Sequence, residues 1–390
     1  VTPGPAGAIS ADWIDAAPTR AVCRAMTAAG HQVYFVGGCV RNTLLGRPVS
    51  DIDLATDALP EATMAAVRAA GLKAVPTGIA HGTVTVIAEG QPFEITTFRQ
   101  DVETDGRRAT VAYSRRIEDD AARRDFTMNA LYATPAGAVI DPVGGLADLA
   151  EGRLRFIGDA DARIAEDYLR ILRFFRFHAW YADPAAGLDP AALDACVRGA
   201  GGLAQLSAER IGQEMKKLLA APDPAPAVAA MAAGGILARV LPGAVPDALP
   251  VLVHLESGIG AAPDPIRRLA VLGGTEVAER LRLSRAEARR LVQLSAAPAS
   301  PDPAAVLGFR HGLALALDML LVRAAVFGQP LPADAVAEAA RGGASPCPVT
   351  AADLIATHGG PALGAALKRA ESLWIASDFR ASQADILAAL

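Results

Sequence analysis

Residues 34–57 read YFVGGCVRNTLLGRPVSDIDLATD. An apolar strand runs into paired glycines, Gly37 and Gly38, then into a helix-compatible stretch carrying Arg41, and then into two aspartates, Asp51 and Asp53. Glycine lets a backbone approach a ligand closely, and the amide groups at a helix start favour phosphate, so Gly37, Gly38 and Arg41 form a candidate phosphate-binding turn. A Gly-Gly pair before a helix is, alone, most often a tight turn. The absence of G-x-x-x-x-G-K-[ST] excludes a P-loop.

Alternate residues of a strand face one side, so SDIDLAT would aim both carboxylates together while Ile52 and Leu54 pack behind. Two like charges that close repel unless a cation sits between them. Mg²⁺ accepts one or two protein carboxylates and completes its shell with water and phosphate oxygens. An isolated D-x-D is as easily a solvated strand edge. A phosphate turn followed by a carboxylate pair, however, is the combination that nucleotidyl transfer requires.

At 390 residues the chain is long enough for two to four packed units. Hydrophobic residues are 52% and charged residues 20% of the chain, with no uncharged apolar run near the roughly 20 residues that span a bilayer, which predicts no membrane partner. The opening VTPGPAGAISADW lacks the basic start and apolar core of a secretory signal, so a cytoplasmic location is expected. Cys23, Cys39, Cys196 and Cys347 form no C-x-x-C pair, which argues against a zinc site or disulfides and predicts buried thiols. A net charge of −5 removes the case for a globally basic nucleic-acid binder, leaving local arginine clusters at 107–108, 115–116, 123–124 and 163–176.

The residue pattern predicts an α+β chain. Strands are expected at 33–36, 83–87, 93–98 and 139–140 and a helix at 60–70, followed by a charged segment at 99–120 that reads as a functional flap. From about residue 159 strand signals fade, and EDYLRILRFFRFHAW, AERIGQEMKKLLA, DPIRRLAVLG, SRAEARRLVQLSAA and GAALKRAESLWIA show the spacing of packed amphipathic helices. In EDYLRILRFFRF a helix would place Asp167, Arg170 and Arg173 on one polar face beside an apolar stripe of Leu169, Leu172 and Phe175. Taken alone, that face reads as an i, i+3 surface salt bridge.

The segment GGCVRNTLLGRPVSDIDLATD resembles the signature of the class II tRNA nucleotidyltransferase and bacterial poly(A) polymerase family, within the DNA polymerase β-type nucleotidyltransferase superfamily. FEITTFRQD (93–101), ARRDFTMNALY (122–132), DPVGGLADL (141–149), EDYLRILRFFRF (166–177) and ERIGQEMKKLL (209–219) resemble its later motifs in the same order. The likeness is strong over 33–220 and weaker beyond, where ESLWIASDF is also similar. It implies an N-terminal helical segment (1–30), a catalytic head (31–155), a neck that selects the nucleobase (156–225), a helical body (226–310) and a tRNA-binding tail (311–390). Asn42 stands where the family usually has aspartate, and Tyr168 where proline is common.

The same resemblance implies roles for single residues. Asp51 and Asp53 would be catalytic and hold the metal, with Glu94 either a third carboxylate near it or a structural hydrogen-bond partner. Gly37, Gly38, Arg41 and Arg124 would meet the triphosphate, and Asp125 and Asn129 would position Arg124 or the ribose. Asp167 and Arg170 would read the base. Cytosine and adenine both present an amino donor beside a ring-nitrogen acceptor, so a carboxylate and a guanidinium admit them and leave guanine and uracil unpaired. Arg173 and Arg176 would orient that aspartate or hold phosphates.

TGIAHGTVTVI (77–87) and EITTFR resemble CCA-adding members, the arginine-rich, histidine-containing signature of the poly(A) branch is not found, and no adjacent His-Asp pair marks a phosphohydrolase domain. The segment after Arg99 corresponds to the flexible element needed for adding A. The implied activity is addition of CMP, CMP and AMP to the tRNA 3′ end from CTP and ATP with Mg²⁺. Poly(A) synthesis, CC-only or A-only addition, and an inactive RNA-binding relative are the alternatives.

Overall fold

The computed structural model describes residues 7–105 and 108–390, with backbone alone for the stretch 101–111 outside that gap. Arg107 of the expected arginine cluster lies outside the described residues, as does the tip of the expected flap. The chain folds as two compact units, one comprising the described residues up to Leu218 with Pro226–Val240, the other Leu219–Ala225 with Leu241–Leu390.

In the first unit the strands are β1 (Val33–Val36), β2 (Asp53–Thr56), β3 (Lys73–Gly78), β4 (Thr83–Ala88), β5 (Gln91–Thr97), β6 (Arg99–Asp105), β7 (Arg108–Tyr113), β8 (Tyr132–Ala133) and β9 (Val139–Ile140). Seven of them form one sheet in the order β3-β4-β5-β2-β1-β8-β9. Its residues are the β-branched and aromatic types that suit a half-buried pleat, and in β4 burial alternates residue by residue. β2 and β5 pair in parallel, with Asp53 opposite Glu94, whereas β1 pairs antiparallel with β2 and with β8. The expected flap is built as a separate two-stranded ribbon of β6 and β7.

Two expectations need correction. β2 begins at Asp53, so Asp51 lies in the exposed segment ahead of the strand rather than within it, although Ile52 and Leu54 are buried as expected. The 166–177 stretch is not one helix. A helix at Ala160–Glu166 ends at Asp167, whose backbone is extended (φ −155°, ψ 104°), and a second runs Leu169–Tyr181. The break packs the Tyr168 ring against Gly202, where an added Cβ would sit 2.1 Å from ring carbons. Behind it, Phe126 lies 4.8 Å from Phe156 and 5.3 Å from Phe177 between ring centroids, so the head core continues into this helix.

The second unit is helical. Two adjacent arginines on the helix Pro265–Leu272 are buried, and Arg267 and Arg268 share Glu256, with Arg267 also paired to Asp318 at 2.6 Å. The stretch Ala304–Phe327 is apolar, with a mean hydropathy of 1.6 over its best window, but half of that window is buried and the helix breaks at Gly312 (φ 75°). Its pieces, 304–311 and 313–327, are each shorter than the roughly 20 residues a bilayer requires. Cys23, Cys39 and Cys196 are buried free thiols, whereas Cys347 is only half-buried, short of the expected burial.

Helix Ala335–Gly343 crosses Ala304–Phe327 at backbone contact. A Cβ on Gly308 would fall 2.0 Å from the Ala339 carbonyl oxygen, and one on Gly342 would fall 1.8 Å from that of Ala305. Neither backbone can yield without separating the helices. Gly342→Ala should therefore destabilise this unit by about 1–3 kcal/mol, read as a lower denaturant midpoint; an unchanged midpoint would contradict the close crossing.

Candidate active site

β1 ends where the chain must turn against β8. Gly37 takes φ 70° and ψ −115°, a region closed to side-chain-bearing residues, and its N–H donates to the Leu131 carbonyl at 3.0 Å. The helix Gly38–Leu44 follows. A Cβ on Gly37 would lie 3.5 Å from both Arg124 Nη1 and the Asn129 carbonyl oxygen, so the turn brings bare backbone up to an arginine.

The parallel β2–β5 pairing places Asp53 beside Glu94, with Asp51 just upstream. Burial, and then the charge of Glu94, pushes the Asp53 carboxyl up to about 6; Arg124 opposes this and Asp51 adds to it. Glu94 and Asp51 thus both act on Asp53, and Arg124 offsets them. Oxygen-only donors under mutual repulsion suit a hard divalent cation that brings water and phosphate oxygens to complete its shell. Among the described residues the acidic, histidine and cysteine side chains assemble no ready-made set of three or more ligands. The residues present fit a metal that is shared with substrate.

Arg124 is fixed by a carboxylate that sequence reading did not single out. Asp120, 1% exposed, accepts from Arg124 Nη2 at 3.0 Å and Nε at 3.2 Å, from Arg123 Nη2 at 2.6 Å, and from the Tyr132 hydroxyl at 2.7 Å. Burial raises the Asp120 carboxyl, but Arg124 and Arg123 outweigh it and hold the group at about 2. The signal was available: the run IEDD precedes RR by three and four residues on one short helix, Ile117–Ala122 and its end.

Asp125 and Asn129 serve other arginines than expected. Asp125 accepts from Arg173 Nε at 2.7 Å, from Asn129 Nδ2 at 2.9 Å and from the Phe126 N–H at 2.8 Å. Asn129 Oδ1 in turn accepts from Arg41, while Arg124 meets only the Asn129 backbone carbonyl. Arg41 is buried, and its donors go to Asn129, Asn42 and the Tyr181 hydroxyl. Its guanidinium lies 4.1 Å from the Tyr181 ring centroid.

Asp167 and Arg170 do not form the polar face expected of them. The Asp167 carboxylate caps the Leu169 N–H at 3.1 Å and pairs with Arg210 at 2.7 Å. Arg170 pairs with Glu166 and donates to the carbonyls of Arg163 (2.8 Å) and Arg123 (3.0 Å). Arg176 pairs with Glu214 at 2.5 Å and lies over Phe177, and Arg173 pairs with Asp125, so neither is hydrogen-bonded to Asp167 here. The helix break explains the difference, since it takes Asp167 off the helical face that Arg170 occupies. Glu166, Arg210 and Glu214, which hold the three, were not foreseen.

Residues 33–155 match the family described as "Poly A polymerase head domain", and residues 187–247 match "Probable RNA and SrmB- binding site of polymerase A". The CCA-adding enzyme of Geobacillus thermodenitrificans is 42% identical over 224 residues, 57% of this chain and 54% of that protein. The human mitochondrial CCA tRNA nucleotidyltransferase 1 is 43% identical over 190 residues, 48% and 44% of the two chains. These alignments span about half the length of the curated relatives. The solved structure of the Bacillus stearothermophilus CCA-adding enzyme in complex with CTP is similar over 93% of each chain, with a TM-score of 0.74 and 32% identity. The Thermotoga maritima CCA-adding enzyme complexed with tRNA shares the fold, at a TM-score of 0.65 and 21% identity over 90% of this chain and 88% of that one. With its strand, turn and carboxylate pair in the head and a likeness that runs nearly end to end, the chain belongs to the family of CCA-adding enzymes with a poly(A) polymerase head.

Proposed function

We propose that this chain adds CMP, CMP and AMP to the 3′ end of tRNA, using CTP and ATP and no nucleic-acid template. The observation that carries the reading is the carboxylate group of Asp51, Asp53 and Glu94 standing beside an arginine-lined glycine turn. In this reading Asp51 and Asp53 hold Mg²⁺, with Glu94 in support. When bound, the ion supplies the positive charge that offsets the triphosphate and favours ionisation of the attacking hydroxyl.

The remaining roles fall to the chain itself. Gly37 and Gly38 offer close backbone approach, and Arg124 and Arg41 meet the triphosphate, so that the α-phosphate faces the tRNA 3′-hydroxyl and pyrophosphate leaves. Arg124 arrives already oriented, because Asp120 and Tyr132 fix it. Asp167 and Arg170 read the base after exchanging Arg210 and Glu166 for its edge; the exchange costs little at Asp167, where the existing pair is solvent-accessible. Arg173 and Arg176 line the same helix from their fixed pairs with Asp125 and Glu214. The helical body and tail would hold the tRNA, and the free cysteines fit a reducing compartment such as the cytoplasm.

Incubating the protein with tRNA trimmed of its 3′ end, with CTP, ATP or both, tests the reading by product length. Three discrete additions are expected; two would make it a CC-adding enzyme and a long adenylate ladder a poly(A) polymerase. Asp51→Ala and Asp53→Ala should each abolish incorporation, and activity surviving in either removes the metal assignment. Arg170→Ala should relax the preference for CTP and ATP over UTP and GTP by about tenfold or more, whereas unchanged discrimination would remove Arg170 from base choice.

A pH test follows from Asp53, whose folded value of about 6 lies above its ordinary 3.8. Its ionised form opposes folding above pH 6, and that cost fades as pH falls through 6 towards 4. Metal-free Asp53→Asn should therefore melt higher than the parent at pH 8 and equally at pH 4. A difference that is the same at both values would show that Asp53 titrates normally.

A further inference from the structure

Arg41 is a buried cation whose acceptors are all neutral. Nη1 donates to Asn129 Oδ1, Nη2 donates to Asn42 Oδ1 at 3.1 Å and to the Tyr181 hydroxyl at 2.8 Å, and the buried Nε has no partner. Among the described residues no carboxylate forms an ion pair with it. Asp125 acts on it from farther off but is committed to Arg173, Asn129 and the Phe126 N–H, and Arg176 repels it. The rings of Tyr181 and Phe177, at 4.1 and 5.2 Å, give it partial compensation. Such a charge is expensive to bury and is ordinarily paired.

Asn42 decides how this cation is held. Its Nδ2 donates to the Pro48 carbonyl at 2.9 Å, which turns Oδ1 toward Arg41 and toward the Tyr181 hydroxyl, itself donating at 3.4 Å. The Arg47 N–H donates back to the Asn42 carbonyl at 2.8 Å, so the residue is anchored from both ends. Arg41 Nη2 then stands 3.9 Å from where a Cβ of Gly38 would be, beside the glycine turn. A carboxylate at this position would give Arg41 a full counter-charge and set an anionic oxygen against the Pro48 carbonyl.

We propose that Asn42 is a positioning residue that orients Arg41 at the glycine turn while leaving its charge uncompensated, so that the polyphosphate chain of the incoming nucleotide supplies the missing negative charge. The inference rests on the reading of that turn as the triphosphate site. A neutral amide achieves what a carboxylate would undo, because an internal ion pair would compete with the phosphate for the same guanidinium.

The test is binding of inorganic tripolyphosphate, without nucleotide or metal, to the full chain by calorimetry over a range of ionic strength. Asn42→Asp should weaken binding about tenfold and flatten its salt dependence, since the site loses one net positive charge. Arg41→Gln should weaken it similarly, and adding Asn42→Asp to Arg41→Gln should cost clearly less than the same change does in the parent, because only direct repulsion of the phosphate is left. Asn42→Ser, which keeps an uncharged acceptor, should stay within about threefold of the parent. Binding by Asn42→Asp equal to the parent, losses that multiply in the double variant, or an Asn42→Ser loss as large as that of Asn42→Asp would each overturn the proposal. Failure to extend tRNA with this binding pattern intact would sink the catalytic reading alone, and tRNA extension without the pattern would sink the role of Asn42 alone.

Discussion

The buried carboxylate of Asp120 is the constraint on which the site depends. It is 1% exposed, and it is tolerated there because two guanidiniums and a phenol hydroxyl satisfy it. Because Arg124 cannot leave without taking one of that charge's two guanidiniums, it stays beside the Gly37 turn and within electrostatic reach of Asp53. One buried anion therefore sets a cation opposite the carboxylates of β2 and β5. Removing Asp120 would leave Arg124 with Tyr132 and a backbone carbonyl as its remaining partners.

Around that anchor, charge is distributed unevenly in two places. Asp51, Asp53 and Glu94 are a local excess of negative charge, and burial first and then that excess raise the Asp53 carboxyl. Arg41 is a local excess of positive charge, held by neutral groups and aromatic faces. Each excess opposes folding taken alone, and under the proposed function each would be relieved by one half of a metal–triphosphate pair. The arginines of the Leu169–Tyr181 helix and its approach are in contrast paired already: Arg170 with Glu166, Arg173 with Asp125, Arg176 with Glu214.

What could be read from sequence was what short-range chemistry decides. β1, β9 and the helix Pro60–Ala69 were visible because runs such as VYFV, and a proline at a helix start, act locally. The glycine turn was visible because a Gly-Gly pair after an apolar run marks backbone that side chains would block. The partners of the arginines were not, since Arg173 finds Asp125 across 48 residues and Arg176 finds Glu214 across 38. The break at Asp167 was hidden by an unbroken helical period; the tertiary seat of Tyr168 on Gly202 overrides that period. Asp51 outside β2 was a boundary question that local pattern leaves open.

Under the proposed function, the carboxylates of β2 and β5 repel one another until a cation and a polyphosphate arrive together. The most direct measurement is the titration of the Asp53 carboxyl carbon by NMR in the protein carrying ¹³C-labelled aspartate, with Asp53→Asn giving the assignment. A midpoint near 6 is expected in the metal-free chain, dropping by one unit or more when Mg²⁺ and tripolyphosphate are added together. A midpoint near the ordinary aspartate value, unmoved by the two, would contradict it.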